Sequence, residues 1–217
     1  MKMTIGYLYY DLLNLYGDSG NIKTLLYHLE EQGIKVTLKY LSVGDKKDFS
    51  KLDMIYIGSG TEENLLIALD DLKNDLDSLK KFVEDKKFIL STGNSLELFG
   101  NFIITNKKIK CLGLYDYVVM YNEERIVKDV RIKTDLIENE IIGFENHLGK
   151  VLSFNEDIIS IDNFIGTYII GPILSRNPYF CSYYIKRLIT SKKEDYDFKE
   201  ENYELDIKAY NKTVESK

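Results

Sequence analysis

The sequence predicts an α/β fold with a mostly parallel central sheet flanked by helices. Short apolar segments alternate with helical stretches through the first half of the chain, which is typical of a parallel sheet covered on both faces. Glycine-containing loops follow three of these apolar segments. The second half contains shorter apolar segments with few helical stretches between them, which predicts a partly antiparallel arrangement there.

The elements of the first half follow from periodicity and from the residues that end each segment. Gly33 follows the first helical stretch, where a helix C-terminal glycine belongs. Thr61 is a candidate N-terminal cap for the second. The predicted strands cover residues 4–9, 34–41 and 54–57, with a fourth starting at Phe88, and the predicted helices cover residues 21–32 and 61–85, the latter broken near residues 70–74.

The second half is assigned by the same criteria. Pro178 can begin a helix that runs to about residue 190. We therefore predict one domain over residues 1–190 and a helical tail over residues 191–217, packed on the domain or on a partner. The predicted strands cover residues 115–120, 125–133, 141–144 and 151–154, with a β-rich segment over 164–174, and the apolar stripe of the tail consists of Tyr203, Ile207, Tyr210 and Val214.

Composition excludes several classes of function. A formal charge of -6 gives no electrostatic reason to bind nucleic acid. No apolar run approaches the roughly 20 residues of a membrane span, and no signal peptide is evident, so a cytoplasmic location is expected. Cys111 and Cys181 are too few for a disulfide framework and are predicted to be buried. The two histidines and two cysteines show no metal-ligand spacing, so we expect neither a metal nor a cofactor.

Three loops are predicted to meet at one crevice. They follow Tyr9, the strand before Gly58-Ser59-Gly60, and the strand before Thr92-Gly93-Asn94-Ser95. In a parallel sheet, sites form at the carboxyl ends of the strands. The last of these loops is the sharp strand-to-helix turn on which many enzymes place a nucleophile, but it contains no cysteine.

The residues around this crevice resemble a known family. "YLYYDLLNLYGDSGNI" (residues 7–22), "GFENHLGK" (143–150) and "GTYIIGPILSRNP" (166–178) resemble motifs of the glutaminase subunit of lipid II isoglutaminyl synthase. That family belongs to the class I glutamine amidotransferases of the cobyric-acid-synthase type. The resemblance implies a flavodoxin-like amidotransferase domain that covers nearly the whole chain apart from the tail.

The chain departs from the family at both catalytic positions. The chemistry requires a cysteine thiolate that attacks the glutamine amide and a histidine that transfers protons. Matched to the family's Cys-Gly-Gly-x-Gln turn, Gly93 stands in place of the cysteine, and in the Gly-Thr-Tyr-Leu-His-Gly-Pro-like segment Ile170 stands in place of the histidine. Neither replacement can act as a nucleophile or a base. The resemblance therefore predicts a catalytically degenerate homologue.

Other residues of the crevice are candidates for binding or for substitute chemistry. The resemblance implies that Gly58, Ser59 and Gly60 offer backbone N–H groups to an oxyanion; the alternative is a plain strand-to-helix turn. It also implies that Arg125 corresponds to an arginine associated with glutamine binding; the alternative is a solvated surface residue. Asn94 and Ser95 complete this candidate ligand site. A rebuilt pair of Ser95 and His147 is an alternative catalytic arrangement, against the simpler interpretation that Glu145, Asn146 and His147 hold a turn. His28 is predicted to be a surface or boundary residue.

We interpret the chain as a binding or scaffolding subunit of a Mur-ligase-like enzyme that amidates lipid II, because the resemblance implies that partner. Two alternatives remain: a working glutaminase that uses unrecognised residues, and a sensor of a glutamine-like ligand. The 17 tyrosines and 10 phenylalanines are consistent with an interface. A patch of Tyr179, Tyr183, Tyr184, Tyr203 and Tyr210 would lie on the C-terminal helices, unless these rings pack the tail against the sheet.

Overall fold

Two sheets and six helices make up the computed structural model, which describes residues 1–154, 157–199 and 203–216. The strands are β1 (Lys2–Leu8), β2 (Lys35–Leu41), β3 (Met54–Ile57), β4 (Phe88–Thr92), β5 (Phe102–Ile104), β6 (Lys108–Lys110), β7 (Val118–Thr134), β8 (Ile137–Val151), β9 (Ile158–Ile161), β10 (Phe164–Thr167) and β11 (Ile169–Ile170). The helices are α1 (Ser19–Glu31), α2 (Glu62–Lys73), α3 (Leu76–Glu84), α4 (Ile173–Arg176), α5 (Pro178–Thr190) and α6 (Glu204–Glu215).

The larger sheet has the strand order β2-β1-β3-β4-β10-β9. All neighbours in it are parallel except β9, which pairs antiparallel with β10 at the edge. Leu8 lies opposite Ile57, and Ile57 lies opposite Ser91. The carboxyl ends of β1, β3 and β4 are therefore level, and the loops that follow them meet at one edge. The predicted mostly parallel sheet is confirmed.

Helices cover both faces of this sheet because its buried strands are apolar on both sides. Met54 and Tyr56 pack into one core cluster together with residues of α1 and α5. Ile55 and Ile57 pack into a second cluster together with residues of α2 and α3. Successive side chains of a strand point to opposite faces, so four adjacent residues of β3 supply both cores.

The smaller sheet corrects the predicted short strands of the second half. Its order is β11-β8-β7-β5-β6, and β7 and β8 form one long antiparallel hairpin with a register shift between Tyr121 and Ile126. Residues 118–120 of the predicted segment 115–120 and the whole predicted segment 125–133 belong to β7, and 141–144 lies within β8. The predicted strand over 151–154 is wrong, because β8 ends at Val151.

The helices agree with the prediction, with shifts at their ends. The predicted break near residues 70–74 separates α2 from α3, and α5 begins at Pro178 as expected. His28 corrects the expectation for α1: it is buried, and its ring centroid lies 4.3 Å from that of Tyr203. The prediction of a surface position was wrong because Tyr203, which packs against His28, lies 175 residues further along the chain. No helix of the described ranges is long and apolar enough to cross a lipid bilayer.

The tail helix α6 contacts the rest of the chain through its apolar stripe. The Tyr210 hydroxyl donates to the Glu140 carbonyl oxygen at 2.7 Å, and the Tyr210 and Tyr179 ring centroids are 5.5 Å apart. Tyr203 and Tyr210 are buried. Tyr184 is also buried, and Tyr179 and Tyr183 are half-buried. Of the two alternatives, an interface patch or inward packing of these rings, the contacts of Tyr203 and Tyr210 favour packing of the tail against the domain.

Candidate functional site

The strand-to-helix turn lies at the carboxyl end of β4. Gly93 follows Thr92 with φ +67°, a left-handed conformation that side chains other than hydrogen disfavour. The chain then continues as a 3₁₀ segment over Gly93–Phe99, all of it buried. The backbone therefore has the sharp turn that the sequence predicted, with a glycine at its apex.

The space around Gly93 is filled by Ser59 and Ile170. An ideal Cβ placed on Gly93 would overlap Cβ and Oγ of Ser59 and would lie 2.9 Å from Cγ2 of Ile170. Side-chain atoms do not approach one another this closely without displacement. The structure thus brings together the two positions that the sequence matched to a nucleophile and a base, and it leaves no volume for a side chain at position 93.

The Gly58-Ser59-Gly60 turn directs its backbone N–H groups at other parts of the same chain. The Ser59 N–H donates to Asp18 Oδ2 at 2.9 Å, and the Gly60 N–H donates to Asn94 Oδ1 at 3.1 Å. The Asn94 amide also donates to the Gly60 carbonyl at 2.9 Å. The Asn94 side chain therefore links the two loops through two hydrogen bonds to Gly60. Its side-chain oxygen accepts the hydrogen bond of an N–H group that an oxyanion would otherwise use.

Asp18 is a buried residue of this crevice that the sequence analysis did not single out. Burial raises the pKa of its carboxyl to about 7, against the hydrogen bonds from the Ser59 N–H, Thr92 and Tyr56, which favour the ionised form. The Tyr56 hydroxyl is within 2.8 Å of Thr92 Oγ1. The sequence around Asp18 does not indicate this burial, because the groups that cover its carboxylate lie on β3, on β4 and in the loop after β3.

Ser95 has no base beside it among the described residues. Its Oγ lies 2.7 Å from the Ser91 Oγ, 3.1 Å from the Ile57 carbonyl oxygen and 3.0 Å from the Thr92 carbonyl oxygen. A hydroxyl that donates to backbone carbonyls keeps its proton. His147 does not approach Ser95 in the structure, so the alternative catalytic pair is not formed.

His147 instead lies on the opposite face of β8 from Asn146. Its ring stacks on Tyr168 with centroids 3.7 Å apart, and its Nδ1 lies 2.7 Å from the Gly149 carbonyl oxygen. Asn146 donates to the Tyr16 hydroxyl at 2.8 Å on the other face. Asn146 and His147 of the "ENH" motif therefore point to opposite faces of β8 and contact different groups, as alternation along a strand requires.

Arg125 lies on β7 and is partly exposed. Its guanidinium forms an ion pair with Glu62, the first residue of α2, and donates to Asn146 Oδ1 at 3.3 Å. Glu62 comes two residues after the Gly58-Ser59-Gly60 turn. The structure therefore brings Arg125 to the neighbourhood of the crevice, with its charge already paired.

Glu97 is a second buried carboxyl that the sequence analysis did not assign. It lies at the position where the family's turn has glutamine. Burial raises its pKa to about 8, and the hydrogen bonds from Tyr121 and Tyr168 oppose the rise. The Tyr121 hydroxyl donates to Glu97 Oε2 at 2.9 Å. At neutral pH this side chain is mostly an uncharged hydrogen-bonding group.

No group of three or more His, Cys, Asp or Glu side chains suited to a metal ion occurs in the described part of the chain. Cys111 and Cys181 are both buried, as predicted. Burial also raises the pKa of the Cys111 thiol to about 12. Neither cysteine lies at the strand-to-helix turn.

Known proteins resemble the chain in sequence and in fold. Residues 4–178 match the CobB/CobQ-like glutamine amidotransferase domain. The lipid II isoglutaminyl synthase (glutamine-hydrolyzing) subunit GatD of Streptococcus pneumoniae is 29% identical over 198 residues, which cover 81% of this chain and 76% of that protein. The subunit of the same name from Staphylococcus aureus is 27% identical over 227 aligned residues, 96% of this chain and 93% of that protein.

A solved structure shares the fold. A protein described as a glutamine amidotransferase superposes with a TM-score of 0.53 at 14% identity, covering 85% of this chain and 98% of that one. At this identity the likeness concerns the architecture alone. It agrees with the α/β fold predicted from the sequence.

Proposed function

The chain belongs to the CobB/CobQ-like glutamine amidotransferase domain family, and from this premise we propose that it is a catalytically silent member. In this proposal it serves as a binding or scaffolding subunit of a Mur-ligase-like enzyme that amidates lipid II. The names of the relatives support this assignment, since both are subunits of a lipid II isoglutaminyl synthase. In this proposal the chain differs from the glutamine-hydrolysing subunits because it does not hydrolyse glutamine.

The observation that carries the proposal is the filled space at Gly93. Glutamine hydrolysis by this family's route needs a nucleophilic side chain at the turn and a base within hydrogen-bond reach of it. Here an added Cβ would overlap Ser59, and the neighbouring Ile170 is a hydrocarbon. Positions 93 and 170 are close in space. Gly93 there packs against Ser59 and Ile170, and no reactive pair is formed.

The occupied backbone groups support the same proposal. An oxyanion site works when its N–H donors are free to bind developing charge. The Gly60 N–H donates to Asn94, and the Ser59 N–H donates to Asp18. Binding of a glutamine-like ligand by Gly58, Ser59, Gly60, Asn94, Ser95 and Arg125 stays a prediction. Such a ligand would have to displace the Asn94 amide from Gly60.

Exposed aromatic residues near the crevice support the proposed partner contact. Tyr10, Tyr16 and Tyr40 are exposed. The Tyr10 and Tyr40 rings lie 5.0 Å apart, centroid to centroid; Tyr10 follows β1, and Tyr40 is the penultimate residue of β2. Tyrosine is enriched at protein interfaces, where its ring is buried and its hydroxyl keeps a polar contact. We place the partner's contact on this edge, in place of the C-terminal helices.

Ammonia release from glutamine tests the catalytic half of the proposal. We expect no release by the purified protein, with or without a Mur-ligase-like protein, because both reacting groups are replaced. Removal of such a pair costs many orders of magnitude in rate. Release at about 1 per second or faster, abolished by Ser95→Ala, would overturn the proposal and favour the alternative of a working glutaminase.

Co-purification tests the partner half. We expect the chain to bind a Mur-ligase-like protein at micromolar concentrations, and the double variant Tyr10→Ser with Tyr40→Ser to weaken that binding. Tyr27→Ser is the matched control, because Tyr27 is also exposed but lies on α1. If the two proteins stay separate and the ligase works equally well alone, the scaffolding role fails and the ligand-sensor alternative takes its place.

A further inference from the structure

A cavity of about 580 Å³ opens on the face of the β7–β8 hairpin opposite Asn146. This volume is within the range of small-molecule sites, about 300–1,000 Å³. The cavity has an apolar part and a charged part. Its lining includes Leu96 and Phe154 on the apolar side and Lys128, Glu145, Lys150 and Asp157 on the charged side.

A buried pair of polar side chains forms one wall. The side chains of Glu145 and His147 are each 5% exposed, and Glu145 Oε2 lies 3.5 Å from His147 Nε2. Lys128 Nζ lies 3.3 Å from the same carboxylate oxygen. Burial disfavours the ionised form of Glu145, but His147 and Lys128 outweigh it and hold its pKa below the usual range. Glu145 is therefore held in its ionised form, as the partner of Lys128 in an ion pair.

The His147 imidazole is held in one orientation at the cavity wall. Its Nδ1 is engaged by the Gly149 carbonyl oxygen, and stacking on Tyr168 fixes the ring plane. Its buried Nε2 makes no hydrogen bond within the described ranges. Glu145 Oε2 faces this atom from 3.5 Å, so the imidazole and the carboxylate together form one fixed wall of the cavity.

Two further charges of opposite sign line the opening. Neither the Lys150 ammonium nor the Asp157 carboxylate forms a salt bridge among residues 1–154, 157–199 and 203–216. Burial and the nearby charge of Glu145 raise the pKa of Asp157, so a cation placed beside it would relieve an unfavourable interaction. The cavity opening thus contains the Asp157 carboxylate, which can bind a cationic group, and the Lys150 ammonium, which can bind an anionic group.

We propose that this cavity binds a small zwitterion with an apolar side chain, of the size of an amino acid or a dipeptide. The ligand's ammonium group lies toward Asp157 and Glu145, and its carboxylate lies toward Lys150. Its side chain packs against Leu96 and Phe154. The proposal goes beyond the proposed function and does not depend on it, since the charged residues Asp157, Glu145 and Lys150 lie outside the crevice at Gly93.

Calorimetric titration of the full chain with leucine and with leucyl-leucine tests this site. We expect saturable binding of at least one of them. N-acetyl-leucine lacks the ammonium group and leucinamide lacks the carboxylate, so each should bind about tenfold more weakly, as expected for the loss of one charged contact of about 1.4 kcal/mol. No saturation by leucine or leucyl-leucine up to about 10 mM would overturn the proposal, since that limit corresponds to under about 3 kcal/mol of binding free energy.

Substitution of Asp157 and Lys150 tests whether these two charged side chains bind the ligand. Asp157→Asn and Lys150→Gln should each weaken the binding of the better ligand about tenfold. Asp157→Asn should also abolish the preference over N-acetyl-leucine, and Lys150→Gln the preference over leucinamide. Lys46→Gln, an exposed lysine remote from the cavity lining, should bind as the unmodified protein does. Equal affinities in all three variants would show that the ligand binds elsewhere, and the assignment would be wrong.

Discussion

Substitution of Gly93 by alanine tests whether the space at the turn is filled. At φ +67° any residue with a Cβ loses about 1–2 kcal/mol from backbone strain alone. The new methyl group would also overlap Ser59 and approach Ile170, and overpacking of this kind costs about 1–3 kcal/mol more. We therefore expect Gly93→Ala to lower the free energy of unfolding by about 2–5 kcal/mol.

Gly44→Ala is the matched control for backbone strain. Gly44 has φ +78°, and a Cβ added there meets nothing within 4 Å. Its cost should be the strain alone, about 1–2 kcal/mol. Urea unfolding gives both values, provided that the dependence on urea concentration stays the same. The difference between the two variants is the steric cost at the turn.

A double-mutant cycle identifies the clashing partner. Ser59→Gly removes the Cβ and Oγ atoms that the alanine methyl would overlap, so Gly93→Ala should cost about 1–2 kcal/mol less in that background. The contact with Ile170 remains in both backgrounds. The reasoning is refuted if Gly93→Ala is no more destabilising than Gly44→Ala, or if Ser59→Gly leaves its cost unchanged.

Three further outcomes follow from buried groups. Burial raises the pKa of Glu97 from its usual 4.5 to about 8, so its stabilising contribution is complete below about pH 4.5 and is lost as the pH rises through about 8. Between these values the loss lowers the unfolding free energy by up to roughly 1.4 kcal/mol per pH unit. Glu97→Gln should remove this share of the fall and leave the share of Asp18, whose pKa burial raises to about 7. A pH scan of urea midpoints checks this, and an unchanged slope would contradict the assignment. A glutamine-mimicking diazo-ketone should leave Cys111 and Cys181 unmodified at neutral pH, because both are buried; stoichiometric labelling in a mass spectrum would contradict it. Tyr210→Phe removes the hydrogen bond to the β8 carbonyl and should destabilise the chain by about 1 kcal/mol in thermal unfolding, whereas no change would mean that the tail helix is not anchored there.

The parallel half of the fold could be predicted because its signals are local. Met54 to Ile57 are all buried, so β3 appears in the sequence as an uninterrupted apolar run between polar segments. The turn at Gly93 follows from the same kind of run, ended by glycine. Since parallel strands align their carboxyl ends, the meeting of the three loops followed from the strand assignments.

The antiparallel half could not be predicted in the same detail. β7 is polar along much of its length and pairs with β8 across a register shift between Tyr121 and Ile126, so its sequence resembles two short strands. Pairing of this kind depends on the partner strand, which periodicity does not identify. The burial of His28 and the closure of the cavity beside Asp157 likewise depend on residues distant in sequence.

The overlap between position 93 and Ser59 sets an order on the substitutions that this chain can accept. A side chain at position 93 is accommodated more readily after residue 59 has become smaller, since the reverse order passes through a protein with two groups in one volume. Reduction of residue 59 alone adds no side chain at the turn. The packing of the turn therefore makes a substitution at position 93 depend on an earlier one at position 59.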